Sequence, residues 1–388
     1  MTAPDVVVDG RMLGFSGVGT YIENIVPRVA AAEPDWRFSV LAPDKFASSW
    51  SASKNVEHRL WGDPIYSLRE QISAPRKIPK DADLLWVPHY NIPILYRGRM
   101  LVTVHDVFHL AMQQFVHGYM KKTYAKLMFA SLRKKATKIV CVSNFTASEL
   151  MAYADVDATK IEVIPNGIDA FWSERFADTS PLEQPYLLCV GNVKPHKNLG
   201  RLVAAFSRIA NDIPHKLVIV GKREGFITGD SDVQEAAQRL GGRVLFTGQI
   251  DQSLLRRYYS HAALLAFPSL YEGFGLPPLE AMACGCPVLV SNAASLPEVC
   301  GDAAVYVDPY RVEDIADTLL RVLLDGGLRT ELSARGLERA ASYQWQRTAQ
   351  QTLEVMKIAM TQNDSQQNNA RISRPEDDKE ASSWKAMS

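Results

Sequence analysis

The sequence has no hydrophobic run long enough to span a membrane and no excess of charge of either sign. Across its 388 residues, no apolar stretch approaches the roughly 20 residues that a transmembrane helix needs. Lysine and arginine together number 43, and aspartate and glutamate also number 43. Because this balance does not favour binding to polyanions, it gives no reason to expect a nucleic-acid partner. The expectation is a globular protein without a bilayer-spanning helix.

Cysteine is scarce, and no secretory leader is expected. The five cysteines lie mostly in apolar stretches, and Cys284 and Cys286 lack a second pair at zinc-site spacing. We therefore expect all five to be reduced. The first residues run directly into a strand-like stretch at 5–9, without the basic and hydrophobic regions of a signal peptide. The sequence predicts a cytoplasmic protein.

Acidic residues are missing from one long stretch, since none lies between Val107 and Ser148. Residues 117–136 in this stretch have a helical pattern. The result is a basic segment in a chain that is otherwise balanced in charge. Its basic residues are Lys121, Lys122, Lys126, Arg133, Lys134, Lys135 and Lys138.

The predicted basic helix has two distinct faces. Lys122, Lys126 and Arg133 are expected on its outer side, with Phe129 among them. Such a surface is predicted to rest on anionic lipid, at the inner face of the cytoplasmic membrane. The alternative is a solvated helix whose basic residues suit its C-terminus. The face predicted to pack inward holds Met120, Tyr124, Leu127, Met128 and Ser131.

Strand-like and helix-like stretches alternate through two successive halves of the chain. This alternation predicts an α/β protein with two doubly wound parallel sheets that face each other across a cleft. We expect domains at 1–172 and 186–343, and a disordered tail at 362–388 that is rich in Gln, Asn and Ser. No regular pattern is evident at 45–80, so loops and short helices are expected there. The predicted strands are 5–9, 37–41, 83–88, 100–104, 138–142, 160–164, 186–190, 216–220, 243–246, 262–267, 287–290 and 303–307.

The stretch 271–285 is the most informative for function. It follows a predicted strand, and Leu276–Ala283 is predicted to be a helix with prolines in its first turn. Glycines let the connecting loop bend tightly, and the free N–H groups of the helix start favour an anion such as a phosphate. Two carboxylates, Glu272 and Glu280, flank the loop. A phosphate-binding backbone beside hydroxyl-accepting carboxylates suits a sugar nucleotide. The alternative is a pair of surface glutamates.

These two glutamates and the residues between them resemble the E-x7-E signature of the retaining glycosyltransferases of family 4. That family has the GT-B fold, in which two Rossmann-like domains face a central cleft. The resemblance covers about residues 3–360. It implies that Glu272 contacts the donor sugar, that Glu280 binds the ribose hydroxyls, and that the helical stretch 344–360 packs back on the first domain. The same segment supplies further expected donor-binding residues, namely Gly273, Phe274, Gly275 and Leu276.

Residues in the first half are further candidates. Gly17 and Gly19 lie in a strand-to-helix loop, which by the resemblance faces the donor pyrophosphate. The alternative is a purely structural turn. His105 follows a predicted strand, at the sheet edge where α/β proteins bind ligands, and it is expected to contact the donor sugar unless it is simply structural. Ser143 is expected either to face the cleft or to cap a helix.

The departing nucleoside diphosphate needs a positive charge, which a metal ion or a fixed cation can supply. Lys197 aligns with the phosphate-binding lysine of the family. Many members carry an arginine where this chain has Asn192 or His196, so the second cation is unassigned. Asn192 and Lys197 are both expected to contact the donor. Lys194, His196 and Lys222 remain candidates for it.

No metal site is expected. Three Asp-x-Asp triplets begin at Asp81, Asp155 and Asp230, but none follows a strand in a recognisable site pattern. We interpret all three as solvated carboxylates. The resemblance therefore implies a metal-independent reaction that uses no cofactor.

The resemblance implies retaining transfer of a hexose, with His105, Lys197 and Glu272 as the catalytic residues. No carboxylate stands out as a covalent nucleophile, and in the family the departing phosphate is thought to take the acceptor proton. The loop and helix sequences are similar to those of bacterial mannosyltransferases of exopolysaccharide and lipopolysaccharide assembly. The expected donor is GDP-mannose, and the expected acceptor is a glycan or a lipid-linked saccharide. The alternatives are a UDP-glucose-type donor, a hydrolase or epimerase of the same fold, and a non-catalytic sugar-binding protein.

Overall fold

The computed structural model describes residues 3–50, 53–174, 179–221, 235 and 237–362. Lys222 and the predicted disordered tail beyond Gln362 lie outside these ranges. Within them, the strands form two separate parallel sheets with helices on their faces. The predicted two-domain α/β architecture is therefore confirmed.

The first domain contains a seven-stranded sheet in the order β3-β2-β1-β4-β5-β6-β7. All neighbouring strands are parallel, and the central strands β4, β5 and β6 are fully buried and mostly apolar because helices cover both faces of the sheet. The strands are β1 (Asp5–Asp9), β2 (Arg37–Ala42), β3 (Val56–Leu60), β4 (Leu84–Val87), β5 (Met100–Val104), β6 (Lys138–Cys141) and β7 (Ile161–Val163). The helices are α1 (Ser16–Ala32), α2 (Leu68–Lys77), α3 (Phe108–Ala111), α4 (Tyr119–Lys135) and α5 (Asn144–Ala154).

Strand β3 and helix α2 occupy the region in which the sequence showed no regular pattern. Strand β3 lies at the edge of the sheet, so three of its residues are only partly buried and two are exposed. An edge strand tolerates polar side chains on both faces, and the apolar pattern that marks the inner strands is missing. The expectation of loops and short helices alone at 45–80 was therefore wrong.

The second domain contains a six-stranded parallel sheet in the order β10-β9-β8-β11-β12-β13. Its strands are β8 (Tyr186–Val190), β9 (Lys216–Val220), β10 (Val244–Gly248), β11 (Leu264–Phe267), β12 (Val288–Ser291) and β13 (Val305–Val307). Its described helices are α6 (Leu199–Ile209), α7 (Gln252–His261), α8 (Leu276–Ala283), α9 (Leu296–Cys300), α10 (Val312–Leu324) and α11 (Gly326–Ala341). In both sheets the strand order reverses beside the first strand of the domain. The crevice that forms at such a point is where open α/β sheets bind ligands.

The last described helix, α12 (Trp345–Thr361), returns to the first domain. It packs along α1, and Trp345 and Met356 belong to the same buried cluster as Val6 on β1. The Thr348 hydroxyl donates to the Pro165 carbonyl at 2.7 Å. No helix in the described ranges combines the length and apolarity needed to cross a bilayer.

Helix α4 buries a face that matches the predicted one only in part, since Met128 is buried as predicted. Phe129 is buried and stacks on Tyr90, with ring centroids 4.6 Å apart. Met120, which was expected to pack inward, is 85% exposed. The prediction that Phe129 lies in the basic face was therefore wrong. The buried residues are Ala125, Met128, Phe129 and Leu132, which follow the i, i+3, i+4, i+7 spacing of a helix that packs on a core.

Candidate active site

The loop between β11 and α8 crosses from the second domain to the first. A Cβ atom added to Gly273 would lie 1.8 Å from the His105 carbonyl oxygen, so only glycine permits this approach. The Gly273 carbonyl accepts hydrogen bonds from Ser143 Oγ at 2.7 Å and from Thr146 Oγ1 at 3.0 Å. The loop is therefore docked on the carboxyl ends of β5 and β6, at the junction between the two sheets.

Ser143 caps a helix, one of its two predicted roles, and it also contacts the loop of the second domain. Its hydroxyl caps α5 by accepting from the Thr146 backbone N–H at 3.0 Å. The same oxygen donates to Gly273 across the domain boundary at 2.7 Å. The side chain is fully buried. It thus acts in positioning the loop.

Lys197 and Glu272 form an ion pair at the carboxyl edge of the second sheet. Lys197 Nζ lies 2.6 Å from Glu272 Oε1, and both side chains are mostly buried. The same Nζ lies 4.9 Å from the centre of the Phe267 ring. Gly191 allows the lysine to cross the end of β8, since an added Cβ would lie 3.3 Å from Lys197 Cε. Two residues that were predicted separately are thereby brought together, although 75 positions separate them in the sequence.

Glu280 lies on α8, behind the loop. Its Oε2 accepts a hydrogen bond from the Tyr259 hydroxyl at 3.0 Å. Burial raises the pKa of the Glu280 carboxyl to about 7, although the Tyr259 hydrogen bond lowers it. Part of the side chain remains open to solvent. This carboxyl group therefore titrates near neutral pH while a ligand can still reach it.

We expect nucleotide-sugar affinity to rise as the pH increases from about 6 to 8, because ionised Glu280 is the stronger hydrogen-bond acceptor. A carboxyl pKa that is raised in the folded state also means that Glu280 contributes less to stability as the pH rises through about 7. Titration calorimetry across this pH range would measure the effect. In Glu280→Gln the affinity should fall by at least about tenfold at pH 8 and lose its pH dependence. An identical pH profile in the variant would contradict the role.

His105 is an uncharged hydrogen-bonding group. Its Nε2 lies 3.1 Å from the Pro88 carbonyl oxygen, so this nitrogen carries the proton. The Tyr21 ring packs edge-on against it, with centroids 4.9 Å apart. Burial lowers the pKa of the imidazole to about 4. His105 can therefore contact a sugar hydroxyl through its other nitrogen but supplies no positive charge at neutral pH.

Asp106 is a residue that the sequence analysis did not select. It follows His105 at the end of β5, and its Oδ1 accepts from the Phe108 backbone N–H at 3.0 Å. Burial raises the pKa of its carboxyl, and the nearby charge of Glu272 raises it further. The two polar residues that follow β5 could have identified Asp106 as well as His105, because both lie at the strand end where ligands bind.

His196 does not supply the missing second cation. Its ring packs on Phe108, with centroids 4.7 Å apart. Burial lowers its pKa to about 3, and the positive charges of Lys197 and Lys194 add to the effect. The histidine is therefore uncharged at neutral pH, whereas Lys194 is exposed beside it. Among the described candidates, Lys194 remains for this role.

Gly17 and Gly19 lie in the first turn of α1 and not, as was predicted, in the loop before it, and one of the two contacts the second domain. A Cβ added to Gly17 would lie 3.7 Å from Leu276 Cδ1, so these two residues meet across the cleft. A Cβ added to Gly19 would instead lie 2.9 Å from the Gly14 backbone nitrogen. Gly19 therefore packs against the preceding turn of the first domain and does not face the second domain.

The remaining predicted donor-binding residues, Asn192, Phe274 and Gly275, have local structural contacts or backbone angles that the structure defines. Asn192 is half-buried after β8, and a Cβ added to Gly221 would lie 3.2 Å from its nitrogen. Phe274 is buried and packs edge-on against Tyr343, with centroids 5.7 Å apart.

Gly275 has a φ of 125° at the start of α8, which other residues rarely adopt. Within the described residues no side chain caps this helix, so its first N–H groups can bind an anion.

Glu298 joins the two domains in a way that the sequence did not reveal. It lies on α9, and its carboxylate accepts from the Asn144 backbone N–H at 2.8 Å and the Phe145 N–H at 3.1 Å. A negative charge at the start of α5 is favourable for the helix. Ser295, on the same segment, donates to the Glu272 carbonyl at 2.9 Å. The Glu298 contacts join the second domain to the first, and the Ser295 contact holds the loop that carries Glu272.

The described Asp-x-Asp residues have local structural contacts. Asp83 Oδ2 accepts from the Asp5 N–H at 2.8 Å, and Asp155 pairs with Arg133 at 2.5 Å. Asp157 accepts from the Thr159 N–H at 2.9 Å. The triplet beginning at Asp230 lies outside the described residues. In the part of the chain that is described, no group of three or more His, Cys, Asp or Glu residues is arranged to hold a metal ion.

Comparison with known proteins identifies the family. The family described as Glycosyltransferase Family 4 matches residues 15–170, and the one described as Glycosyl transferases group 1 matches residues 170–339. The chain is also 30% identical over 282 residues to O-antigen chain mannosyltransferase B of Escherichia coli, covering 70% of this chain and 73% of the relative. It belongs to glycosyltransferase family 4.

Two further similarities agree with this assignment. The family 4 chain is 28% identical over 288 residues to the serotype-specific mannosyltransferase WbdA of Escherichia coli, covering 70% of this chain but only 33% of that longer protein. Its fold matches Anabaena Alr3699/HepE, solved in complex with UDP-glucose, with a TM-score of 0.73 and 16% identity over 91% of this chain and 99% of that one. The expected GT-B glycosyltransferase fold is thus confirmed.

Proposed function

We propose that this glycosyltransferase moves mannose from GDP-mannose to a glycan or lipid-linked saccharide in bacterial cell-surface polysaccharide synthesis, with retention of configuration and without a metal ion. The observation that carries the proposal is the 2.6 Å pair of Lys197 and Glu272 beside the uncapped start of α8. This pair sets a cation for phosphate next to a carboxylate for sugar hydroxyls. The similarity to two mannosyltransferases supports mannose as the donor sugar.

Each site residue has a distinct part in this reaction. Lys197 and the N–H groups of α8 stabilise the charge that develops on the departing diphosphate. Glu272 orients the donor sugar, Glu280 binds the ribose hydroxyls, and neutral His105 accepts a hydrogen bond from a sugar hydroxyl through Nδ1, near the reacting carbon. The leaving phosphate oxygen takes the proton of the attacking hydroxyl, so the new bond forms on the face from which the nucleotide departs.

The second candidate is a transferase that uses UDP-glucose. It is favoured by the similarity of the fold to a protein solved with UDP-glucose. GDP-mannose and UDP-glucose differ in both base and sugar, so a binding experiment distinguishes them. A hydrolase or epimerase of the same fold would bind the same donor but would form no glycoside with an added saccharide.

A thermal-shift screen against GDP-mannose, UDP-glucose, dTDP-glucose and ADP-glucose tests the donor. A ligand at one hundred times its Kd stabilises the folded protein by about 2.7 kcal/mol, so the correct donor should raise the melting temperature by several degrees. Transfer from that donor to mannose-terminated oligosaccharides is then followed by mass spectrometry, and the anomeric configuration of the product by NMR. An inverted product or the absence of transfer from all four donors would contradict the proposal.

Membrane binding through the outer face of α4 is part of the same proposal. Tyr119 and Met120 at the start of this helix are 84% and 85% exposed, and Lys126 is also exposed. An exposed aromatic and apolar end beside lysines suits the headgroup region of anionic lipid. Arg133 contributes less than was predicted, because Asp155 pairs with it at 2.5 Å. The surface would bring the cleft to a lipid-linked acceptor.

Replacing Lys122 and Lys126 by glutamate should reduce sedimentation with vesicles of phosphatidylglycerol by at least about tenfold, because each basic residue near such a surface contributes about 1 kcal/mol. Wild-type binding should weaken at high salt and be small with phosphatidylcholine vesicles. The matched control changes Lys54 and Lys80, which are exposed elsewhere on the first domain, to glutamate. Equal loss in both double variants, or no loss in either, would contradict the assignment to α4.

A further inference from the structure

A group of three tyrosines on the first domain lies near the candidate active site but has no part in the proposed chemistry. The ring of Tyr66 lies 6.0 Å from that of Tyr90 and 6.3 Å from that of Tyr124, measured between centroids. Tyr66 is 47% exposed, whereas the other two are half-buried. We call these three residues the tyrosine platform. The partly exposed ring of Tyr66 packs on the rings of Tyr90 and Tyr124.

The backbone of Tyr66 is held in an unfavourable conformation. Its φ is 65°, in the left-handed region that bulky side chains rarely adopt. The Tyr66 N–H donates to Glu70 Oε1 at 3.0 Å. Strain of this kind persists only where the surroundings hold the residue, and such residues cluster at ligand-binding sites. The ring is therefore held in a defined orientation that the local sequence alone does not favour.

Glu70 itself is anchored in the interior. It is 1% exposed, and its Oε2 pairs with Arg11 at 2.5 Å. The Arg11 guanidinium lies 3.5 Å from the centre of the Trp61 ring. Glu70 Oε1 also accepts from Asn91 Nδ2 at 2.7 Å and lies 3.0 Å from the Tyr124 hydroxyl. Buried groups thus support two of the three platform residues, which is the arrangement that a preorganised binding site needs.

The platform and the donor residues meet at Asp106. A Cβ atom added to Gly273, the neighbour of Glu272, would lie 2.9 Å from Asp106 Cβ, so Asp106 lies close to the donor-site loop. Asp106 Oδ1 also accepts from the Phe108 N–H at 3.0 Å, at the start of the short helix that carries His109. His109 Nδ1 lies 3.1 Å from the Tyr90 hydroxyl on the same side. A molecule on the platform would therefore direct one edge toward the donor sugar.

We propose that the tyrosine platform binds the terminal sugar of the acceptor, with a C–H-rich face on Tyr66 and its hydroxyl groups toward Asp106. The inference rests on the proposed glycosyl transfer, since it assigns the second substrate of that reaction. A pyranose has a less polar face and a rim of hydroxyl groups. An aromatic surface with a few polar groups at its edge is the usual composition of a site for such a ligand.

The test compares wild type with Tyr66→Ala, using methyl α-D-mannopyranoside and α-(1→3)-mannobiose as probes. Saturation-transfer NMR in the presence of GDP measures their binding, and steady-state kinetics measures KM and kcat for the mannobiose. Tyr66→Ala should weaken binding by about tenfold, as expected for the loss of one aromatic contact. Tyr66→Phe should restore binding. Tyr153→Ala is the matched control, because Tyr153 is a tyrosine of similar exposure, 52%, on α5.

Donor binding is measured on the same proteins, so that the two proposals can fail separately. Unchanged saccharide affinity and acceptor KM in Tyr66→Ala, in a protein that transfers mannose, would overturn the platform and leave the transferase. Absence of any saccharide binding to wild type would also overturn it. Saccharide binding that Tyr66→Ala alone weakens, in a protein that binds no nucleotide sugar, would support the platform and reject the proposed transfer.

Discussion

Replacing Lys197 by alanine should reduce kcat for sugar transfer by about a hundredfold to a thousandfold, the cost of removing one preorganised charge-stabilising group. Lys197 Nζ lies 2.6 Å from Glu272 Oε1, so the substitution takes away the cation next to the sugar-binding carboxylate. The effect should fall mainly on kcat, because negative charge on the diphosphate grows as the glycosidic bond breaks. Steady-state kinetics with GDP-mannose, with and without EDTA, would measure it.

Lys216→Ala provides the matched control for this substitution. Lys216 is also partly buried, but it begins β9 and therefore lies at the amino edge of the sheet, opposite the cleft. Its replacement should leave kcat unchanged. EDTA should have no effect on the wild type. Activity that disappears with EDTA and returns with Mn²⁺, or wild-type kcat in Lys197→Ala, would contradict the role of Lys197.

Gly273→Ala should abolish most of the activity while both domains remain folded. The added methyl group would lie 1.8 Å from the His105 carbonyl oxygen and 2.9 Å from Asp106 Cβ, so the loop must withdraw from the first domain. Withdrawal would break the hydrogen bond from Ser143 and displace Glu272. A displacement of about 1 Å at a catalytic group can cost about a hundredfold in rate. Kinetics would measure the loss, and small-angle X-ray scattering would detect a wider separation of the domains.

Gly62→Ala distinguishes this close contact from a general effect of replacing glycine. A Cβ added to Gly62 meets no heavy atom within 4 Å, so the variant should keep wild-type activity and scattering. Far-ultraviolet circular dichroism should be unchanged in both variants, since neither substitution lies inside a helix or strand. Full activity in Gly273→Ala would contradict the docking of this loop as a requirement for catalysis.

Features that depend on residues close together in the sequence were predictable from it. Strands such as Met100–Val104 and Tyr186–Val190 are buried on both faces, and strands buried in this way are nearly continuous apolar runs in the sequence. Helix α8 and its loop could be identified because prolines, glycines and two glutamates occur together over a few positions. The fold class and the family follow from these short patterns, and the roles of Glu272 and Glu280 remain predictions.

The tertiary structure decided which residues meet. Glu298 caps α5 from 154 positions away, and the face that α4 buries depends on the position of Tyr90, on which Phe129 stacks. Strand β3 is polar because it lies at the edge of the sheet. A helical or strand pattern records only that a residue faces apolar surroundings or solvent. The sequence of this protein therefore determined its two sheets and its glutamate-containing loop. The partners of Lys197, Gly273 and Tyr66 were decided by folding, because each contact joins residues whose distance depends on how the strands and domains are arranged.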